Sequence, residues 1–274
     1  MTTETLQVMD TDSQIPGMIN VIRKELFGER QMRFWISQIL IWLLLVCGVP
    51  ALLMVIPPDI WLDTIGAGVP MAQVDIAIMV FFAMAGTMAT LFIPVLTQGE
   101  IVDELESGTA AWIISKPVSR TAFILAKFIA NTLIFSLFII VIPGTIGWLL
   151  FAGTGAMTLI GYLTGLGLTA LVLMWFMYLT ILLGVVTKSR SMTMGIAVGV
   201  FFGIMFLGQM MPILLVLVPS LMPMMIIPWI AANNLAGLPT PALAPMIPSM
   251  IYIPILEILL FVIIAVWIFR KVEL

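Results

Sequence analysis

The chain has 274 residues, 62% hydrophobic and 9% charged, with a net charge of −3 and a mean hydropathy of +1.22. Soluble domains hold roughly 45–50% apolar residues, so this composition excludes an ordinary soluble fold and indicates a polytopic membrane protein. With no histidine and a single cysteine, Cys47, inside an apolar run, His-based proton relays, haem ligation, Cys-cluster metal sites and an intrachain disulfide are excluded.

The opening 1–14 segment is polar and acidic, unlike the basic start of a secretory signal, and reads as a disordered cytoplasmic tail. The 15–33 segment places Ile15, Met18, Ile19, Ile22 and Leu26 at spacings of three and four. That stripe predicts an amphipathic interfacial helix, with Arg23, Lys24, Glu25 and Glu29 mostly off the apolar face. From residue 34 to 274 the chain reads as one permease-like membrane domain of six transmembrane helices, an all-α fold. The spans are predicted over 34–56, 76–96, 123–151, 157–186, 192–218 and 251–269. The third and fourth exceed the roughly 20 residues that cross the hydrocarbon, and Pro143-Gly144 predicts a kink in the third.

The eleven Lys and Arg residues fix the predicted orientation. With both termini cytoplasmic, all of them fall on or near the inner side, while the first outer connection carries Asp59, Asp63 and Asp75. The last outer connection, 219–249, holds seven of the seventeen prolines, no charge and mostly apolar residues. A water-exposed loop is rarely so apolar, and a continuous span rarely holds so many helix breakers. Short broken helices, re-entrant or capping, are therefore predicted there, with Trp229 as an interfacial anchor.

The first cytoplasmic loop, 98–120, reads QGEIVDELESGTAAWIISKPVSR. Glu100, Asp103 and Glu104 stand at i, i+3 and i+4, on one face of a short helix, with Ile101 and Leu105 beside them. Gly108 suits a left-handed cap, Thr109 opens another short turn, Pro117 stops it, and Ser119 caps the next helix. A compact amphipathic hairpin carrying an acidic face follows from this punctuation.

The segment ELESGTAAWIISKPVSRTAFILAKFIA closely resembles the cytoplasmic loop of ABC-2-type transporter permeases. The matching positions are Glu104, Glu106, Gly108, Thr109, Ser115, Lys116, Pro117, Ser119, Arg120 and Lys127. The resemblance implies a coupling helix that docks on a separate ATP-binding subunit, contacted through Glu100, Asp103 and the matching positions up to Arg120. It further implies a transporter of two permease chains, identical or homologous, and two ABC ATPase subunits in the cell membrane. ATP and magnesium belong to the ATPase, and no cofactor or metal is expected in this chain. The chain itself has no P-loop motif, catalytic constellation or clustered basic surface, so neither enzymatic activity nor nucleic-acid binding is expected.

By the same resemblance the substrate pathway lies near the second and fifth spans. Phe81, Phe82, Met84, Met88, Phe201, Phe202 and Gln209, with Glu257, are its candidate residues; their apolar character leans towards a hydrophobic or amphipathic compound, and the resemblance implies export. Gly195, Gly199 and Gly203 recur every four residues, a groove suited to close helix packing. Glu257 is the acid well inside an apolar run, where an unpaired carboxylate is costly. It is expected to be protonated, paired with Gln209 or Asn131, or set at an aqueous cavity. A non-transporting membrane scaffold and an ATP-independent secondary carrier are the alternatives from other classes.

Overall fold

The computed structural model describes residues 15–27, 29–57, 72–114, 118–210, 217–219, 222–232 and 247–272. The tail at 1–14, together with Ser115, Lys116 and Pro117, lies outside the described residues. The described chain is helical throughout, with no named strand and one isolated bridge pair, Met157 with Ala232. Six helices are long and apolar enough to cross a membrane: Trp35–Val55, Gln73–Glu106, Arg120–Thr154, Leu159–Thr187, Arg190–Leu207 and Ile247–Phe269. The six predicted spans are all present as helices, with shifted ends.

The short helix α1 spans Ile15–Phe27, and the first span, α2, runs through Glu29–Leu43, Leu44–Gly48 and Val49–Val55. The second span, α3, is built from Gln73–Ala83, Met84–Met88 and Ala89–Thr97, followed by α4 (Gly99–Glu106) and α5 (Thr109–Ile114). The third span, α6, joins Arg120–Phe135, Ser136–Val141 and Ile142–Phe151. Then come α7 (Leu159–Thr187), α8 (Arg190–Met210), the short pieces α9 (Met222–Met225) and α10 (Ile227–Ala231), and α11 (Ile247–Phe269).

Helix α7 forms the axis of the bundle. Its apolar window is 61% buried within the chain, against 17% for α8 and 11% for α11, which therefore stand at the periphery. Glycines let the neighbours approach α7 closely: a side chain at Gly165 would collide with Phe82 and Ala231. At the same level Phe81, Phe82, Phe151, Trp148 and Tyr162 form a packed aromatic group with centroids 5.1–5.9 Å apart. The buried threonines Thr90, Thr97, Thr169 and Thr180 each bond the carbonyl four residues back, so their hydroxyls are satisfied without water.

The π-helical segments answer the prolines. Leu44–Gly48 ends just before Pro50, and Ser136–Val141 just before Pro143. Proline lacks an amide hydrogen and clashes with the carbonyl four residues back, and a wider turn relieves both demands. The kink expected at Pro143-Gly144 thus takes the form of a π segment. Two neighbouring spans bond the carbonyls there: Cys47 Sγ donates to Pro143 O at 3.4 Å, and Tyr162 Oη to Gly144 O at 2.7 Å.

At the third π segment, Met84–Met88, Pro223 of α9 sits so close to Gly86 that an added Cβ would lie 2.3 Å from its ring. The described part of the Pro-rich connection is therefore two short helices, α9 and α10, packed over α3 and α7. Ile226, Ile227 and Ala231 are buried, and Trp229 is 36% exposed. By contrast, an added Cβ at Gly195, Gly199 or Gly203 would meet nothing within 4 Å. Among the described residues of one chain, nothing packs into the glycine groove of α8.

Candidate functional site

Charge gathers at one end of the bundle. The described ends of α4, α6, α8 and α11 meet there with α1, and the described ion pairs all lie among these elements. Gln98, between α3 and α4, keeps helical angles (φ −56°, ψ −32°), so the second span continues without a break to Glu106. The expected separate hairpin is thus corrected. The acidic segment is a rigid extension of a span, because nothing between Thr97 and Gly99 interrupts the helical ladder, and Gln98 N bonds Pro94 O at 2.9 Å.

The predicted punctuation is otherwise present. Gly108 adopts φ +70° and turns the chain into α5, a conformation that costs other L-residues energy. Ser119 caps α6, its hydroxyl accepting from Ala122 N at 3.0 Å. Glu100, Asp103 and Glu104 do share one side of α4.

That acidic side, however, is engaged within the chain. Lys127 of α6, only 3% exposed at its side chain, drives its ammonium between Glu25 (3.0 Å), Glu104 (3.2 Å) and Glu100 (3.4 Å). Lys24 reaches Glu104 at 3.0 Å and Glu25 at 3.7 Å. Asn131 donates to Lys127 O at 3.0 Å and hydrogen-bonds Glu100. Three carboxylates thus face two ammonium groups, with four of the five side chains largely withdrawn from water. Such a network holds only while complete, because removing one partner strands buried charge. Asp103 pairs separately with Arg190 at the start of α8, about half exposed on both sides.

The network explains the placement of α1. The predicted stripe kept Glu25 off the apolar face, whereas the structure buries Val21 and Glu25, with Met18, Ile22 and Leu26 partly covered and Ile19 exposed. The face turns because Lys127 draws the Glu25 carboxylate inward. Helix α1 is packed against α6 by this contact and by its apolar neighbours.

The remaining expected contact residues sort by position. Glu106 and Gly108 are exposed and Thr109 half-buried. Arg120 faces away from α4 and closes the last span, its guanidinium donating to Arg270 O at 2.9 Å and Val272 O at 2.7 Å. Arg270 Nε in turn donates to Thr121 Oγ1 at 3.0 Å. Ser115 and Pro117 lie outside the described residues.

Among the pathway candidates, Phe81, Phe82 and Phe201 are buried in aromatic packing, Met84 is half-buried, and Met88 and Phe202 are exposed. The side chain of Gln209 is outside the described set. Glu257 is half-buried and accepts from Trp175 Nε1 at 2.7 Å. The expected pairing with Asn131 is corrected: Asn131 belongs to the Lys127 network at the charged end, while Trp175 of α7 faces α11 at the level of Glu257.

Sequence reasoning missed Glu25, Arg190 and the central part of Lys127. A signal existed for Lys127, a lone cation in the otherwise apolar run FILAKFIA, where burial demands counter-charge.

Among known families, the one described as "Protein of unknown function (DUF2705)" matches residues 34–274. The match covers Glu100, Glu104 and Lys127 and begins after Glu25. No curated protein matches the chain. The chain belongs to the DUF2705 family.

Proposed function

We propose that this DUF2705 member is the permease subunit of an ABC-2-type transporter, driven by a separate ATPase subunit and exporting a hydrophobic or amphipathic compound. The observation that carries the reading is the α3–α4 helix, one uninterrupted rod from a membrane span into a charged tip. A push on that tip by a nucleotide-driven partner moves the second span directly. It also reaches α1 and α6 through Lys127, and α8 through the Asp103–Arg190 pair.

The orientation follows from charge. All eight Lys and Arg residues with described side chains lie in α1, at the described ends of α6, α7, α8 and α11, or about two turns inside α6, all at the same end of the bundle. The positive-inside rule makes that end cytoplasmic and both termini inner. The open glycine face of α8 and the exposed face of α11 leave room in the membrane for a second permease chain. In this reading the substrate route runs beside Met88 and Phe202, with the aromatic groups behind them as its wall.

The test is native purification of the full chain with and without Glu106→Lys. Glu106 is exposed and absent from the Lys127 network, so reversing it perturbs a docking surface without disturbing the fold. Co-purification of an ATP-hydrolysing subunit with wild type, weakened by the reversal, supports the proposal. A folded chain that brings down no ATPase favours a scaffold or a secondary carrier.

A further inference from the structure

Glu257 stands near the middle of the last span, α11, and none of the described ion pairs includes it. Around it on this peripheral helix Leu256 and Leu260 are exposed, while Pro254 is buried and Phe261 half-buried. The acid, itself half-buried, therefore lies on the margin where the seam between α7 and α11 opens to the membrane. Its partner comes from the axis of the bundle. Trp175 of α7, only 3% exposed, donates its Nε1 hydrogen to Oε2 at 2.7 Å. The indole is held in turn by edge contacts with Phe176 and with Phe261, at centroid distances of 4.8 and 5.5 Å.

That bond serves one carboxyl oxygen. The other, Oε1, has no described hydrogen-bond partner, and unlike Glu104 Oε2 it is not shut away from the surface. The ionisable side chains of the neighbouring spans are engaged elsewhere. On α6, Lys127 sits in the charged network and Arg120 on the carbonyls of the last residues; on α7, Tyr162 bonds Gly144 O and Tyr178 bonds Thr132. A carboxyl at this depth is neutralised by a proton or by a cation that reaches it through the membrane. A proton on Oε1 makes a hydroxyl for which no acceptor is described. A cation bearing N–H groups supplies both the counter-charge and the missing hydrogen bond.

We propose that Glu257, positioned by Trp175 and flanked by Phe261, is a binding site within the membrane for the ammonium group of a hydrophobic amine. The ammonium donates to Oε1, the aromatic neighbours favour positive charge, and the apolar part of the ligand lies along Leu256 and Leu260. Treating such an amine as the exported compound rests on the permease reading above; the binding site does not.

The experiment titrates dodecylammonium, dansyl-labelled at the end of its chain, into the full protein in phosphatidylcholine nanodiscs, with empty nanodiscs as the baseline. Wild type is expected to show saturable binding, displaced by unlabelled dodecylammonium and not by dodecanol. Glu257→Gln keeps an acceptor for the indole and removes the charge, and it is expected to lower affinity by about tenfold or more. Trp175→Phe keeps a ring and removes the N–H, and is expected to weaken binding by about threefold. Thermal unfolding of each variant shows whether the fold is intact. Binding to folded Glu257→Gln as tight as to wild type overturns the proposal. So does equal displacement by dodecanol, a comparison on wild type that decides even if a variant fails to fold. Absence of saturable binding to wild type also overturns it, and leaves Glu257 with a proton alone. ATPase co-purification is scored on the same preparations: its absence removes the permease reading and leaves the binding result standing.

Discussion

Lys127 is the residue on which the charged end depends. Its ammonium is nearly excluded from water and lies 3.0–3.4 Å from three carboxylates, one on α1 and two on α4. Lys127→Ala is expected to destabilise the folded protein by about 3–5 kcal/mol, because three buried acids lose their central counter-charge. Unfolding in mild detergent measures this. Lys127→Met combined with Glu25→Gln is expected to recover part of the loss, since that pair removes opposite charges together. A smaller effect belongs to Gly108, held at φ +70° with open space around a potential Cβ. Gly108→Ala is expected to cost about 1–2 kcal/mol from left-handed strain alone. At this scale the sequence was half legible. The spacing of Glu100, Asp103 and Glu104 and the left-handed glycine were readable because local helix geometry dictates them. Glu25 was not, because a polar residue on an amphipathic helix looks solvated until a cation some hundred positions later demands it.

At the scale of elements, the continuity of α3 with α4 matters most. Hydropathy ends the second span near Leu96, where apolar residues give way to Gln98 and the acids, but the backbone ladder does not read hydropathy. Gln98 and the eight residues of α4 carry the rod onward, and Gly108 ends it. Replacing Gln98 with Pro is expected to uncouple the two parts. Partner binding at the charged tip would persist, while any ATP-driven response of the second span would fall; paired spin labels on α4 and α3 report the loss of rigidity. The π segments were only partly legible. Pro143 announced a disturbance, yet whether a helix kinks or widens depends on neighbours such as Cys47 and Tyr162 that bond the nearby carbonyls. The segment at Met84–Met88 had no sequence signal, since its partner Pro223 stands far along the chain. Gly86→Ala would press a methyl group into that ring and is expected to destabilise by about 1–3 kcal/mol, read by thermal unfolding.

Among the described residues the molecule is an apolar helical bundle whose ion pairs gather at one end. Its class was legible from composition, since six runs of this hydropathy have few other homes. The functional reading rests on how the charged end is wired, with a span extended into an exposed tip and ion pairs tying that tip to α1, α6 and α8. The measurement that tests this most directly is native mass spectrometry of the complex extracted from membranes, with ATP hydrolysis assayed on the same sample. The account predicts two copies of this chain bound to two ATP-hydrolysing subunits, with the association weakened by Glu106→Lys. A stable, folded chain found alone, or bound only to proteins without ATPase activity, would contradict it.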